Sequence, residues 1–220
     1  MDGLPSTKKV VIVDCGTTYL RSLFDSLVEQ GVFPIVVPHT ARYDSIVERV
    51  NPDAFIISGS RLSVNHKKSP RPDIGILNQI DTPVLGICYG MQYIVHALGG
   101  RVKTSASREQ GTTKIHTSIA VNNKTQEVFT ADIISALNAE SGADIFNGFD
   151  GSAIVWMSHV CKVSQLPEGF GVTSVSENTI ISSIERGNLI GVQFHPEKRR
   201  ETNKYTGNGD LILQNFIESI

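Results

Sequence analysis

Two hydrophobic patterns divide the chain near Gly100. Before this residue, short continuous apolar runs alternate with stretches in which apolar residues recur every three or four positions. Continuous runs predict strands buried on both faces, whereas the longer spacing predicts amphipathic helices. The predicted strands are residues 9–14, 35–37, 54–57 and 83–87, and the predicted helices are residues 20–28, 46–50, a short segment ending near residue 80, and 90–98.

This alternation of strands and helices predicts a parallel sheet with helices on both faces. In such sheets, sites form at the carboxyl ends of the strands. Asp14, Gly59 and Cys88 all fall at or just after such ends. We therefore expect the functional residues of the first half to converge at one edge of the sheet.

After Gly100 the apolar and polar residues alternate one by one, which is typical of antiparallel strands. Strands are predicted at residues 101–104, 113–116, 119–121, 154–157, 171–175, 179–184 and 189–195, and helices at 133–137 and 211–217. The last helix is expected to pack back on the first sheet. The predicted fold class is α/β, with a mainly parallel central sheet flanked by helices and additional antiparallel strands in the second half. Residues 1–220 are predicted to form a single domain.

Composition narrows the function further. The 220 residues are 40% apolar, and the formal net charge of −2 gives no electrostatic basis for binding nucleic acid or a membrane surface. No apolar run approaches the length of a membrane span, and the N-terminus lacks a signal-peptide pattern. Three widely spaced cysteines favour a reducing compartment, so we expect a cytoplasmic protein. The histidines and cysteines show no metal-ligand spacing, so neither a metal nor an organic cofactor is implied.

The segment Gly86-Ile87-Cys88-Tyr89-Gly90 joins a predicted strand to a predicted helix. Gly-x-Cys-x-Gly is the cysteine form of a nucleophile elbow, a tight turn that exposes its central side chain. The positive end of the following helix favours the thiolate, which is the nucleophilic form of cysteine. On this pattern alone, a buried cysteine in an ordinary strand-to-helix turn is an equally good interpretation. Cys15, directly after the first strand, is interpreted as a packed thiol.

The segment Gln193-Phe194-His195-Pro196-Glu197 supplies the partners that Cys88 needs. His195 is predicted to end the last strand, because Pro196 cannot donate to a ladder. Glu197 can return to the side of His195, where a carboxylate would orient the imidazole for proton transfer. Alone, His195 would be a surface histidine at a strand end. Together with the cysteine elbow, it indicates nucleophilic catalysis by Cys88, His195 and Glu197.

These two motifs resemble the triad motifs of class I glutamine amidotransferases. Ile57-Ser58-Gly59-Ser60 is similar to the oxyanion strand of that family. Residues 107–111, 155–159 and 166–170 resemble the glutaminase part of GMP synthetases. The whole resemblance runs from about Lys9 to Phe216. It implies a flavodoxin-like fold and no cofactor.

The resemblance implies hydrolysis of the glutamine side-chain amide through a glutamyl thioester, with ammonia passed to a synthetase that converts XMP to GMP. As the residue after the nucleophile, Tyr89 is expected to place a backbone N–H in the oxyanion hole. The resemblance assigns the second donor to Gly59, for which a simple turn glycine is the alternative.

The resemblance also assigns substrate binding. It implies that Gln92 helps to bind glutamine, although a solvated helix residue is the alternative interpretation. It implies that Ser158 and His159, predicted to end a strand, hold the amino-acid end of the substrate. His195 is preferred to His159 as the base because a carboxylate follows it.

Three departures from GMP synthetases mark this chain as divergent. Ser60-Arg61 stands where Gly-Pro is usual, and Val160-Cys161 stands where Gly-Asp is usual, which weakens an expected salt link to the substrate or to a partner domain. A polar stretch at 198–209 is interpreted as a solvated loop or as a docking segment. The acceptor reaction therefore need not be GMP formation.

Other functions remain open at this point. No Ser-Gly-Gly-x-Asp-Ser loop of an ATP pyrophosphatase occurs, so the acceptor chemistry is expected on another chain or on another part of a longer protein. A stand-alone γ-glutamyl hydrolase would share the elbow and need no partner. A non-catalytic regulatory subunit would keep only the fold.

Overall fold

Strand direction divides the sheet of this protein into two halves. In a computed structural model, residues 7–117, 145–198 and 207–220 are described. The strands are β1 (Lys9–Asp14), β2 (Phe33–Pro38), β3 (Ala54–Ile57), β4 (Val84–Ile87), β5 (Arg101–Thr117), β6 (Ser152–Gln165), β7 (Gly171–Val175), β8 (Ser183–Arg186) and β9 (Leu189–Val192). They form one nine-stranded sheet in the order β2-β1-β3-β4-β9-β8-β7-β5-β6. The first five strands in this order are parallel, and the others pair antiparallel.

Helices cover both faces of the parallel half, as the sequence predicts. They are α1 (Leu20–Glu29), α2 (Tyr43–Val50), α3 (Tyr89–Ala97) and α4 (Gly209–Glu218), with a 3₁₀ helix at Ile74–Asn78. Alternate residues of β1 enter opposite cores: Val10 and Ile12 pack with α1 and α4, whereas Val11 and Val13 pack with α2 and α3. The prediction that the last helix packs back on the first sheet is confirmed.

The antiparallel half differs from the prediction in its strand lengths. The strands predicted at 101–104 and 113–116 are parts of the single strand β5, and the strand predicted at 154–157 continues to Gln165 in β6. Polar residues between the two predicted parts of β5 are largely exposed, so no apolar alternation marks them. The strand predicted at 179–184 begins only at Ser183, because residues 176–182 turn back through a Ser176–Thr179 backbone hydrogen bond. The strand predicted at 119–121 and the helix predicted at 133–137 lie outside the described residues.

The last parallel strand also ends earlier than predicted. β9 stops at Val192, because β4, its parallel neighbour, stops at Ile87. Beyond that point the N–H of Gln193 donates to the Ser182 carbonyl, and the N–H of His195 donates to the Trp156 carbonyl. The chain thus leaves β4 and carries His195 across to β6.

Glycines bring α3 close to the parallel strands. A Cβ added at Gly90 would lie 2.1 Å from the carbonyl oxygen of Ile57 in β3. A Cβ at Gly86 would lie 2.6 Å from the carbonyl carbon of Gly90, and one at Gly191 would lie 2.8 Å from Cγ of Met91. Only glycine permits this approach, so these positions set where α3 begins relative to β3 and β4.

Among the described residues, none of the helices combines the length and the apolar character needed to cross a membrane.

We expect Gly90→Ala to lower the free energy of unfolding by about 3 kcal/mol or more, because a methyl group would have to displace a backbone carbonyl. Gly99→Ala is the control: Gly99 has a φ of +95° and open space at its Cβ, so only backbone strain of about 1 kcal/mol is expected. Urea unfolding of both variants measures the difference. Equal losses would contradict the close approach of α3.

Candidate active site

Cys88 occupies the turn between β4 and α3. It precedes the first helical residue with φ +51° and ψ −98°, in the left-handed region that side chains rarely adopt. Its backbone N–H donates to the Val192 carbonyl at 2.7 Å, which ties the turn to the end of β9. Only 6% of the residue is exposed. The turn therefore has the strained backbone of a nucleophile elbow.

His195 and Glu197 meet Cys88 at this turn. His195 Nδ1 donates to Glu197 Oε1 at 2.9 Å, and the imidazole lines the same cavity as Cys88. Both His195 and Glu197 are buried. Burial alone would lower the pKa of His195, but the Glu197 carboxylate and Cys88 raise that pKa well above its ordinary value. The structure therefore brings the three predicted triad residues together and favours the imidazolium.

Two helices hold the Glu197 segment in place. Ser22 of α1 donates its hydroxyl to the backbone carbonyl of Glu197. A Cβ at Gly209, the first residue of α4, would lie 2.0 Å from the carbonyl oxygen of Pro196, so only glycine fits there. One carboxylate oxygen of Glu197, Oε2, is buried with no hydrogen-bond partner among the described residues. The carboxylate is thus held by its backbone and by His195.

The two residues predicted for the oxyanion hole follow β4 and β3. Tyr89 is the first residue of α3, where backbone N–H groups have no partner inside the helix. Gly59 follows β3, and a Cβ at this position would lie 3.2 Å from Cε1 of His195 and 3.3 Å from Oγ1 of Thr17. The backbone of Gly59 therefore lies beside the catalytic imidazole without a side chain to block substrate.

Gln92 is buried inside the site. Its Nε2 donates to the Cys161 carbonyl at 2.8 Å and to Oε1 of Gln193 at 3.0 Å. The alternative interpretation of Gln92 as a solvated helix residue is therefore wrong. Because both amide hydrogens are engaged internally, only the rest of the side chain is available to a substrate.

Ser158 and His159 lie in the middle of β6. The prediction that they end a strand is wrong, because β5 continues to pair with β6 from Thr104 back to Arg101. Ser158 Oγ accepts a hydrogen bond from Arg108 at 3.2 Å. The two residues therefore lie inside β6, and both line the cavity beside Cys88.

The electrostatic environment of His159 differs from that of His195. Nδ1 of His159 lies 3.1 Å from the Cys161 carbonyl, and Nε2 lies 3.3 Å from Oε2 of Glu109. Burial lowers the pKa of His159 to about 4, although the Glu109 carboxylate acts in the opposite direction. His159 is therefore neutral near pH 7, with its ring nitrogens facing Cys161 and Glu109, which supports His195 as the base.

A cavity of about 570 Å³ opens in front of the sulfur. Six of the eight predicted site residues line it: Cys88, Tyr89, Gln92, Ser158, His159 and His195. The departures from GMP synthetases, Ser60-Arg61 and Val160-Cys161, line it as well. Arg61 and Arg108 contribute positive charge, and no carboxylate is among the lining residues that the structure describes. The cavity therefore suits a small molecule with a negatively charged end.

Sequence reasoning missed the role of Gln193. This residue is fully buried, and its Nε2 donates to Sγ of Cys88 at 3.5 Å. The one-by-one alternation of the last strand placed Gln193 on the same face as His195, which was the available signal. Within the described ranges, no group of three or more His, Cys, Asp or Glu side chains could hold a metal ion.

The low pKa of His159 predicts a dependence of stability on pH. Between its ordinary value of 6.5 and about 4, the unfolded chain binds more protons than the folded chain, so stability is lost as the pH falls through this window. The loss from this residue amounts to roughly 3 kcal/mol. We expect His159→Gln to flatten this part of the curve, measured by urea unfolding between pH 7 and pH 4, with the exposed His66→Gln as control. Parallel curves for wild type and His159→Gln would refute the assignment.

Comparison with known proteins finds relatives that match nearly the whole chain. The model of the family "glutamine amidotransferase class-I" matches residues 11–217. Curated relatives named GMP synthase (glutamine-hydrolyzing) from Thermosipho melanesiensis, Corynebacterium efficiens and Bacillus subtilis are 35%, 34% and 33% identical over 97%, 98% and 94% of this chain. The chain spans only 36%, 36% and 35% of the length of these relatives.

Solved structures show the same fold. A Thermoplasma acidophilum protein described as a subunit of GMP synthase superposes with a TM-score of 0.75 at 22% identity, over 97% of this chain and 94% of that one. PurLQS from Thermotoga maritima superposes with a TM-score of 0.65 at 18% identity, over 96% of this chain and 98% of that one. The predicted fold class is confirmed, and the chain belongs to the class-I glutamine amidotransferase family.

Proposed function

We propose that this chain hydrolyses the side-chain amide of glutamine through Cys88, His195 and Glu197 and supplies the ammonia to a synthetase. The observation that carries the proposal is the buried His195–Glu197 hydrogen bond, whose imidazole lines the cavity together with Cys88. Family membership makes glutamine the substrate to test first. The whole of residues 1–220 is proposed to be one glutaminase domain.

The first half of the reaction releases ammonia. The Cys88 thiolate attacks the amide carbon, and the N–H groups of Tyr89 and Gly59 stabilise the oxyanion that forms. His195, whose raised pKa keeps it protonated, gives its proton to the departing nitrogen. The carbon–nitrogen bond breaks, and a glutamyl thioester remains on Cys88.

The second half restores the enzyme. Neutral His195 takes a proton from water, and the hydroxide attacks the thioester carbonyl. The carbon–sulfur bond breaks, glutamate leaves, and the thiolate–imidazolium pair returns. Glu197 keeps Nδ1 of His195 protonated throughout, which leaves the opposite ring nitrogen for both transfers.

The charged side chains of the cavity indicate how the substrate is oriented. The positive side chains of Arg61 and Arg108 favour the α-carboxylate, and Arg108 also donates a hydrogen bond to Ser158. Ser158 and His159 are proposed to hold this amino-acid end. Without a carboxylate in the described lining, the α-ammonium group must rely on neutral acceptors.

The acceptor of the ammonia is proposed to lie outside this chain or in a further part of the same protein. The relatives named GMP synthase are nearly three times as long as this chain, so the remainder of their length is available for a ligase reaction. Conversion of XMP to GMP, in purine biosynthesis, is the acceptor reaction that these names support best. A cytoplasmic location is proposed, and it agrees with three free cysteines.

We expect Cys88→Ala to abolish ammonia release from glutamine, because the acyl intermediate forms on this sulfur beside His195. Cys15→Ala is the matched control and should keep activity, since burial raises the pKa of the Cys15 thiol to about 12 and leaves it unreactive. Ammonia is measured with the chain by itself and then with added cell extract, corrected for extract without the chain.

The same assay separates the alternatives. Full activity of Cys88→Ala would refute the triad. Faster turnover of γ-glutamyl conjugates than of glutamine would indicate a stand-alone hydrolase. Failure of a glutamine-analogue electrophile to label Cys88, even with extract, would indicate a regulatory subunit.

We expect Glu197→Gln to reduce kcat/KM at pH 7 by about 10²–10⁴-fold. Without the carboxylate, burial dominates and the pKa of His195 falls, so less imidazolium is present to protonate the leaving nitrogen. The pH profile of kcat/KM checks this, and the exposed Glu168→Gln is the control. An unchanged profile in Glu197→Gln would contradict the role of Glu197.

A further inference from the structure

Gln193 places a buried primary amide against the nucleophile. The residue is fully buried just beyond β9, and its backbone N–H donates to the Ser182 carbonyl at 2.8 Å. Its side chain lies between two others: Nε2 donates to Sγ of Cys88 at 3.5 Å, and Oε1 accepts from Nε2 of Gln92 at 3.0 Å. A buried amide is costly unless its donors and acceptor are paired, so this arrangement is specific.

A backbone carbonyl fixes the direction of these hydrogen bonds. The oxygen and nitrogen of an amide have nearly the same shape, so their placement follows from their partners. The Cys161 carbonyl can only accept, and therefore Gln92 must turn its Nε2 towards it, at 2.8 Å. The second hydrogen of that nitrogen then points to Gln193, so Gln193 must turn its Oε1 towards Gln92 to accept it. The Gln193 nitrogen is thereby left facing Cys88.

Reversing either amide would bring like groups together. A flipped Gln193 would set its nitrogen against the nitrogen of Gln92 and its oxygen against the sulfur. A flipped Gln92 would set its oxygen against the Cys161 carbonyl. Because Gln92, Gln193 and Cys161 are buried, either conflict would leave buried polar groups unpaired, which is costly.

We infer that Gln92 and Gln193 form a hydrogen-bond chain of fixed polarity, anchored on the Cys161 carbonyl, that holds an N–H donor on the Cys88 sulfur and favours its thiolate. In this arrangement Gln193 contacts the reacting atom, and Gln92 is a positioning residue. The inference deepens the proposed function, because the thiolate is both the attacking group and the group that leaves the thioester.

The other groups near Cys88 show what the hydrogen-bond chain of Gln92 and Gln193 contributes to the site. The titratable and charged side chains that share its cavity are Tyr19, Arg61, Tyr89, Arg108, His159, Cys161 and His195. Of these, His195 is the proposed base, and Glu197 and Cys88 both raise its pKa. The Gln193 amide is a second donor that cannot remove the proton, so it stabilises the thiolate without competing as a base.

The test is the pH dependence of Cys88 alkylation by iodoacetamide, read on the Cys88 peptide by mass spectrometry. Gln193→Met keeps the length of the side chain but removes the donor, and Gln193→Glu replaces the donor with an acceptor at the same size. We expect the pH of half-maximal alkylation to rise by about one unit in Gln193→Met, a tenfold loss of thiolate, and by more in Gln193→Glu. Gln92→Met should shift it in the same direction by less, because Gln193 can then rotate.

Two controls distinguish a direct effect of Gln193 on Cys88 from a general effect on folding. Asn215→Leu removes a buried amide far from the site, whose Nδ2 donates to the Ile145 and Asn147 carbonyls, and should leave the alkylation curve unchanged. Urea unfolding shows whether each variant is folded at the assay temperature. If Gln193→Met is unfolded, the isosteric Gln193→Glu provides the readout.

The alkylation curves either support or contradict the proposed hydrogen-bond chain. Unshifted alkylation curves in folded Gln193→Met or Gln193→Glu would overturn the inference. A Gln92→Met variant with a raised KM for glutamine but an unshifted curve would show that Gln92 binds substrate and does not position Gln193 against Cys88. Iodoacetamide needs no glutamine, so the alkylation test stands even where the chain releases no ammonia, and the two proposals fail separately.

Discussion

Contact between Gly90 and the Ile57 carbonyl determines where helix α3 can begin. Since no side chain fits between them, the helix starts immediately after β4, and the chain must reverse within one residue. That residue is Cys88, and the reversal forces it into the left-handed region. The same close approach places Cys88 directly before the first residue of α3, at the N-terminus of the helix. A steric constraint between two backbone segments therefore sets the position and the strain of the nucleophile.

The polar side chains of the site are almost wholly buried, so each of them needs a hydrogen-bond or charge partner within the protein. His195 and Glu197 are taken out of water, so their charges persist because each compensates the other. Gln92 and Gln193 are likewise buried amides whose donors point to acceptors. His159 shows the opposite solution, since burial leaves it neutral beside Glu109. Two histidines on one cavity wall thus carry different charges at the same pH.

The sequence predicted the parallel half well because β1, β3 and β4 are buried on both faces and appear as continuous apolar runs. The bounds of β1 and β3 agree with the prediction, and Cys88, His195 and Glu197 meet as the motifs indicated. The polar middle of β5 escaped prediction because its exposed residues carry no periodic signal. The end of β9 escaped it because the strand stops where its neighbour stops, a property of pairing and not of residues 193–195. The role of Gln193 depends on a carbonyl 32 positions earlier in the chain, at Cys161, which no local pattern reports.

Strand β9 lies between β4 and β8, at the centre of the sheet, although it is the last strand among the described residues. Cys88 is therefore synthesised about a hundred residues before the strand that brings its base. Until β9 inserts, β4 presents an unpaired edge, and the thiol has neither His195 nor the Gln193 amide beside it. A nascent chain on the ribosome thus carries its nucleophile in an inactive form, and assembly of the reactive centre coincides with closure of the sheet.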